Sequence, residues 1–358
     1  MYPQLIIDLK KLNENLGVVD KLAKDADCSL MIVTKSYCAD ERIVGEILKN
    51  ESVDYLADSR MKNIVTYSDK AHMVGKETVL LRIPMMSEVS EVVRFADISL
   101  NSEIEIIRLL DLEALKQNKT HKVLLMIDLG DLREGMFYKD EDAIMAVCDE
   151  ILKMRHIRLF GIGTNLTCYG AIIPNGDNLG MLAQLAARIE AKFSIKLAMV
   201  SGGNSSSIYL IPKKELPEGI NNLRLGEAFI LGNETAYSNR IEGTNNDAVI
   251  LRAQIIELKK KPSLPIGEVG VDAFGLVPSY EDRGIIDRAI IAVGKQDTNL
   301  DGLIALDSKV DILGGSSDHL IVDVSKCNYK LGDTLDFLPD YGTFLKLFTS
   351  NYITRVYK

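Results

Sequence analysis

Lys35 directly follows the apolar run LMIVT, which places an amine where a buried strand meets a loop. Partial desolvation at such a point lowers an amine's pKa and favours imine formation with a carbonyl compound. A lysine that ends a strand by snorkelling to solvent is the plain alternative. A second reactive segment is SGGNSSS at 201–207, which follows AMV. Its glycines let the backbone approach an anion, while successive amides and hydroxyls supply donors to phosphate oxygens; a flexible turn would have the same composition. The third is NNLRLGEA at 221–228, where Arg224 closes the last apolar run, either facing a ligand or solvated.

These residues need a frame that brings strand ends together. Short apolar runs at 30–34, 53–57, 79–83, 97–100, 123–128, 158–164, 197–201 and 223–225 alternate with segments of helical period. That is the pattern of parallel strands joined by helical crossovers. Helices are expected at 40–49, 102–116, 140–153 and 178–191, several opened by an Asp, Ser or Asn able to cap the first turn. Eight alternations in about 200 residues predict an α/β fold, a (β/α)8 TIM-type barrel, with a doubly wound open sheet as the competing arrangement. Beyond about residue 236, AVILRAQIIEL, RAIIAVG, HLIVDVS and FLKLFTSNYITRVY are divided by Gly, Pro and Asp turns, and predict a mainly antiparallel β domain. The expected boundaries are 1–236 for the barrel and 237–358 for the β domain. Active sites of such barrels lie where strands end, which is where Lys35, Ser201 to Ser207 and Arg224 fall.

Composition narrows the function. With 358 residues, 47% apolar and 26% charged, the chain has the texture of an ordinary globular protein of two domains. A formal net charge of -9 argues against nucleic acid, whose backbone demands a basic face. The five cysteines are scattered, without C-x-x-C or metal-ligand spacing, and are expected to be reduced thiols. No stretch approaches 18 uncharged apolar residues and MYPQLIIDLKKL lacks the form of a secretory leader, so a cytoplasmic protein without membrane partners is expected.

Taken together and in order, VTKSYCAD around Lys35, SGGNSSS and RLGEA resemble the fold-type III pyridoxal-phosphate family, whose best-known member is alanine racemase. The resemblance implies pyridoxal 5'-phosphate as cofactor, bonded to Lys35 as an aldimine. It further implies a phosphate-binding loop built on Ser201, Gly203, Asn204 and Ser205, and Arg224 with Gly226 in the run that faces the pyridine nitrogen. DLGDLREGM at 128–136 resembles the segment in which an arginine, here Arg133, orients the substrate carboxylate. GIGTN at 161–165 resembles the strand whose next residue stacks on the ring, here Asn165. GSSDHLIVDV at 315–324 resembles the second-domain segment whose backbone meets the substrate carboxylate across a dimer interface, implicating the backbone near Ser317, while the carboxylate of Asp318 could meet a distal ammonium or stabilise its own loop.

The chain departs from alanine racemase in three places. Ala39 stands where the family's phosphate-binding tyrosine is expected, with Tyr37 out of register; Met126 replaces a modified lysine; and GEVGVDAFG at 267–275 holds no tyrosine to act as second base. Racemisation needs a proton-transfer group on each face of a planar carbanion. Lys35 serves one face, and Asp272 is the expected group for the other, with Tyr280, Asp318 and His319 as rivals. These departures resemble the ornithine racemase branch of the family, which implies a small-molecule amino-acid substrate, L- or D-ornithine, and a head-to-tail homodimer with shared active sites. A broad-specificity alanine or lysine racemase, a decarboxylase of the same fold with Glu227 at the ring nitrogen, and a non-catalytic cofactor carrier are the alternatives.

Overall fold

Strands buried on both faces read as continuous apolar runs, and all eight runs become parallel strands of one closed sheet. The computed structural model describes residues Met1–Lys358. Its barrel strands are Ser29–Val33, Val53–Asp58, Glu77–Leu80, Ile98–Asn101, His121–Asp128, Ile157–Gly163, Met199–Ser201 and Asn222–Leu225. The first pairs in parallel with both the second and the eighth, for example Leu30 opposite Leu223, and the fourth pairs with the fifth, so no edge is left. The open-sheet alternative is thereby excluded. Met31, Val33, Val79, Leu124, Met126 and Met199 fill the interior, which makes the barrel a packed core with its chemistry confined to the rim. A Cβ on Gly161 would lie 1.8 Å from the Met199 carbonyl oxygen, so the sixth and seventh strands approach at a point only glycine permits.

The helices that return each strand start where capping chemistry allows. Asp40 accepts from the amides of Arg42 and Ile43 at the head of Glu41–Lys49, and Asp140 accepts from Ala143 at the head of Glu141–Lys153. Two expected caps are corrected. Ile104–Lys116 has no side-chain cap, since Ser102 lies before Glu103, the cap position. Gly176–Phe193 is capped by Asn175, whose carboxamide oxygen accepts from Asp177 (3.0 Å) and Asn178 (2.9 Å) while Asn178 answers the Asn175 amide (2.9 Å).

The chain divides into two compact units, Lys11–Asn245 and Met1–Lys10 with Asn246–Lys358. This differs from boundaries at 236 and 237 at both ends. Buried Asn15 donates to the Phe229 and Asn245 carbonyls (3.1 and 2.9 Å) and accepts from the Asn245 amide (2.6 Å), which keeps 237–245 with the barrel. Gln4–Ile7 pairs antiparallel with Val249–Pro262 and parallel with Thr354–Tyr357, so the first residues belong to the β unit. That unit is an eight-stranded, mainly antiparallel sheet, as expected. One of its runs does not begin as a strand: FLKLFT lies in the helix Tyr341–Thr349, capped by Asp340 on the Thr343 amide (2.7 Å), with Phe344, Leu347 and Phe348 buried on one face.

Candidate active site

The barrel rim gathers the three segments of the sequence. Lys35 opens a single 3-10 turn, Lys35–Tyr37, immediately beyond the first strand, and its side chain is exposed. The floor under that turn is rigid: Thr34 Oγ1 donates to Asp58 Oδ2 at 2.6 Å, and Asp58 also accepts from Asn63 and the Arg60 amide. Burial of Asp58 raises its pKa against the pull of those bonds.

Arg224 is buried at the end of the eighth strand, only 4% exposed. Its guanidinium donates to Ser201 Oγ and to the Thr164 carbonyl oxygen, both at 2.6 Å, and Ser201 Oγ in turn donates to Asn222 Oδ1 at 2.6 Å. Ser201 therefore holds Arg224 in place and has its own hydrogen committed. Desolvation pushes the Arg224 pKa down to about 10, with the Glu134 and Cys168 charges opposing the fall and Arg133 adding to it.

The 201–207 loop has the form of an anion cradle. Gly203 takes φ +109°, and a Cβ there would meet Ser207 Oγ at 2.8 Å. Asn204 uses its carboxamide within the protein: Nδ2 donates to the Leu166 carbonyl (2.9 Å) and lies 2.8 Å from the Asn165 carboxamide, and Oδ1 accepts from the Ser206 amide (2.7 Å). Ser205 Oγ accepts from the amides of Gly226 (3.3 Å) and Ala228 (3.1 Å), so its hydrogen remains to donate. Ser206 Oγ and Thr164 Oγ1 are buried without any partner. Buried hydroxyls are rarely left unpaired, so an open one on the rim is a place where a ligand or water can bond. A donor-rich loop beside an amine and a buried guanidinium fits a phosphorylated aldehyde such as pyridoxal phosphate.

Arg133 and Glu134 form a two-pronged ion pair at the rim, Nε to Oε2 and Nη2 to Oε1. Burial is the largest single influence on the Arg133 pKa and lowers it, but its hydrogen bonds to Glu134 together with the nearby Cys168, Glu134 and Asp131 charges leave the value raised. The Asn165 carboxamide lies between this pair and Asn204. Among barrel residues named from sequence, the Asn165 and Asn204 carboxamides meet, Arg224 donates to Ser201 and through its amide to the Gly203 carbonyl, and Ser205 accepts from the Gly226 amide; Thr164, Glu134 and Cys168 belong to the same rim and were not singled out. Thr164 ends an apolar run, whereas Glu134 and Cys168 lie beyond the runs ending at 128 and 164, where nothing in the chain marks them.

The β-unit residues form a second cluster. Asp272 Oδ1 accepts from the amides of Phe274 (2.8 Å) and Leu276 (2.9 Å), and Oδ2 lies 3.4 Å from Lys295 Nζ. The Leu276 and Phe274 amides pull its pKa below the ordinary carboxylate value. The Lys295 and Gln296 amides donate to the Ser316 and Ser317 carbonyls (2.8 and 3.0 Å), so one segment supports both the Asp272 turn and the turn carrying Ser317 and Asp318.

A closed parallel barrel with a lysine, an anion loop and a buried arginine on its rim, followed by an antiparallel β unit, defines a recognisable class. The model of the alanine racemase N-terminal domain matches residues 7–233. The ornithine racemase of Acetoanaerobium sticklandii is 52% identical over 357 residues, 99% of each chain. The lysine racemase of Thermotoga maritima is 37% identical over 359 residues, 100% of this chain and 99% of that one. The crystal structure of Bartonella henselae alanine racemase, with covalently bound pyridoxal phosphate, shares the fold at TM-score 0.72 and 17% identity, with 100% of both chains covered. The chain belongs to the alanine racemase family.

Proposed function

We propose that this protein is a pyridoxal 5'-phosphate-dependent amino-acid racemase that interconverts L- and D-ornithine, working as a head-to-tail homodimer in the cytoplasm. The observation that carries the reaction type is Arg224, a buried guanidinium clamped between Ser201 and Thr164 on the rim that carries Lys35. The 52% identity to an ornithine racemase supports the substrate.

Pyridoxal phosphate, when bound, supplies a conjugated electron sink that acidifies the substrate Cα–H. Lys35 is the residue that would hold it, and the hydroxyls of Ser205 and Ser206 would meet its phosphate. Arg224 stays cationic at neutral pH, and its positive charge disfavours protonation of a ring nitrogen beside it. That favours return of the proton to Cα over side reactions. Glu227, the acidic alternative, opens the helix Glu227–Ile230 and does not stand at the strand position.

Lys35 moves the proton on one face. For the other we propose Asp272, with Oδ1 carrying its turn and Oδ2 directed to Lys295. The backbone at Ser317 is proposed to border the substrate carboxylate, with Arg133 as its cationic partner, and Asp318 to border the substrate side chain. Asp272→Asn is expected to slow proton transfer on one face more than the other, and no slowing excludes the assignment.

The deciding assay follows optical rotation of L-ornithine, L-lysine and L-alanine with the purified protein and pyridoxal phosphate. Decay for ornithine alone upholds the proposal, decay for all three favours a broad-specificity racemase, and release of carbon dioxide favours a decarboxylase. Lys35→Ala is expected to abolish both racemisation and the absorbance of bound cofactor; racemisation retained in that variant removes Lys35 from the mechanism.

A further inference from the structure

Carboxylates around the barrel rim are mostly engaged by their own backbone. Asp128 accepts from the amides of Gly130 and Leu132, and Asp131 from those of Tyr169 and Ile172. Glu234 accepts from the amides of Ala236, Tyr237 and Asn239. Withdrawing any of these would leave part-buried amides unpaired. Glu134 differs, because its partners are side chains, Arg133 and Asn165, and its own side chain is 19% exposed. Both charges of the Arg133–Glu134 pair can be handed to a ligand without breaking the fold.

We propose that Glu134 is the specificity residue for the distal ammonium of a diamino-acid substrate, which binds by inserting into the Arg133–Glu134 ion pair. The α-carboxylate takes the guanidinium and the distal ammonium takes the carboxylate, so one internal pair is exchanged for two and every charge stays compensated. A monoamino acid also takes Arg133, but strips Glu134 of its cation and leaves a partly buried carboxylate unpaired. That penalty disfavours the smaller substrate, so rejection is built into the same contact that gives recognition. Without Glu134 the other rim carboxylates stay tied to backbone amides, and Arg133 and Arg224 are two guanidiniums that repel an ammonium.

This inference rests on the racemase reading above, and the test separates the two. The holoenzyme and its Glu134→Gln variant would be compared with L-ornithine and with L-norvaline, which has the same carbon chain without the distal amine. Racemisation gives KM and kcat, and titration of the cofactor absorbance gives apparent Kd for each compound. The proposal expects KM and Kd for ornithine to rise about tenfold or more in the variant, with kcat changed less and norvaline affinity unchanged or improved. Equal weakening of both compounds would mean that Glu134 acts only by orienting Arg133, and overturns the proposal. Unchanged ornithine binding also overturns it while leaving the racemase reading intact. Failure of the unaltered enzyme to racemise ornithine overturns both.

Discussion

Ser205 and Ser206 are neighbours whose hydroxyls are in opposite conditions. The Ser205 oxygen already accepts two backbone amides, so its removal unties the loop from the eighth-strand turn. The Ser206 hydroxyl has no protein partner at all, although the residue is fully buried. Ser206→Ala is therefore expected to leave the melting temperature of the apoprotein unchanged or slightly higher. If the hydroxyl meets the cofactor phosphate, the same variant should lose pyridoxal phosphate about tenfold more readily on dialysis, the size of one hydrogen bond to a charged group. Unchanged retention would place the phosphate elsewhere. The Lys35 and Glu134 substitutions belong to this scale too, since each removes one group that meets a ligand.

At the scale of elements, the fifth barrel strand carries a histidine the chemistry does not use. His121 is 2% exposed, with Nε2 2.7 Å from Ser99 Oγ, and burial pushes its pKa down to about 4. An unfolded chain takes up this proton near pH 6.5, and the folded one resists it until about pH 4. Stability from this group is therefore complete above pH 6.5 and falls with pH between those values, by about 3 kcal/mol in all. Denaturant unfolding at pH 7 and pH 4.5 should show the loss, and His121→Gln should flatten the corresponding part of the slope. An identical slope in the variant would assign the acid sensitivity to other groups.

For the whole molecule, the proposed head-to-tail homodimer makes each active site a joint product of one protomer's barrel and its partner's β unit. Lys35→Ala and Asp272→Asn chains, inactive or impaired alone, are then expected to complement. Random reassembly makes about half of the dimers hybrid, each with one site intact, so about a quarter of full activity should return on mixing. No recovery after verified subunit exchange would mean that both groups act within one chain or that Asp272 is dispensable. Sedimentation of an active monomer would contradict the arrangement directly. No helix is long and apolar enough to cross a membrane.

The barrel was readable from the chain because parallel strands buried on both faces write themselves as apolar runs, and polar residues at their ends are conspicuous against that background. Lys35, Ser201 to Ser207 and Arg224 stood out for this reason, and the eight runs match the eight strands. Gln4–Ile7 did not, since four residues become a strand only by pairing with Val249–Pro262 and Thr354–Tyr357, distant in sequence. FLKLFTS misled because Leu345 and Leu347 alternate around Lys346 while Phe344, Leu347 and Phe348 recur at helical spacing, and the Asp340 cap with burial on one face selects the helix. Hydrogen-bond roles were equally out of reach: that Ser201 serves Arg224, that Asn204 serves Asn165, and that Ser206 is left open depends on which atoms the fold brings within 3 Å. Burial patterning is a local property of the chain and can be read along it, whereas the pairing of polar atoms is settled only when remote segments meet.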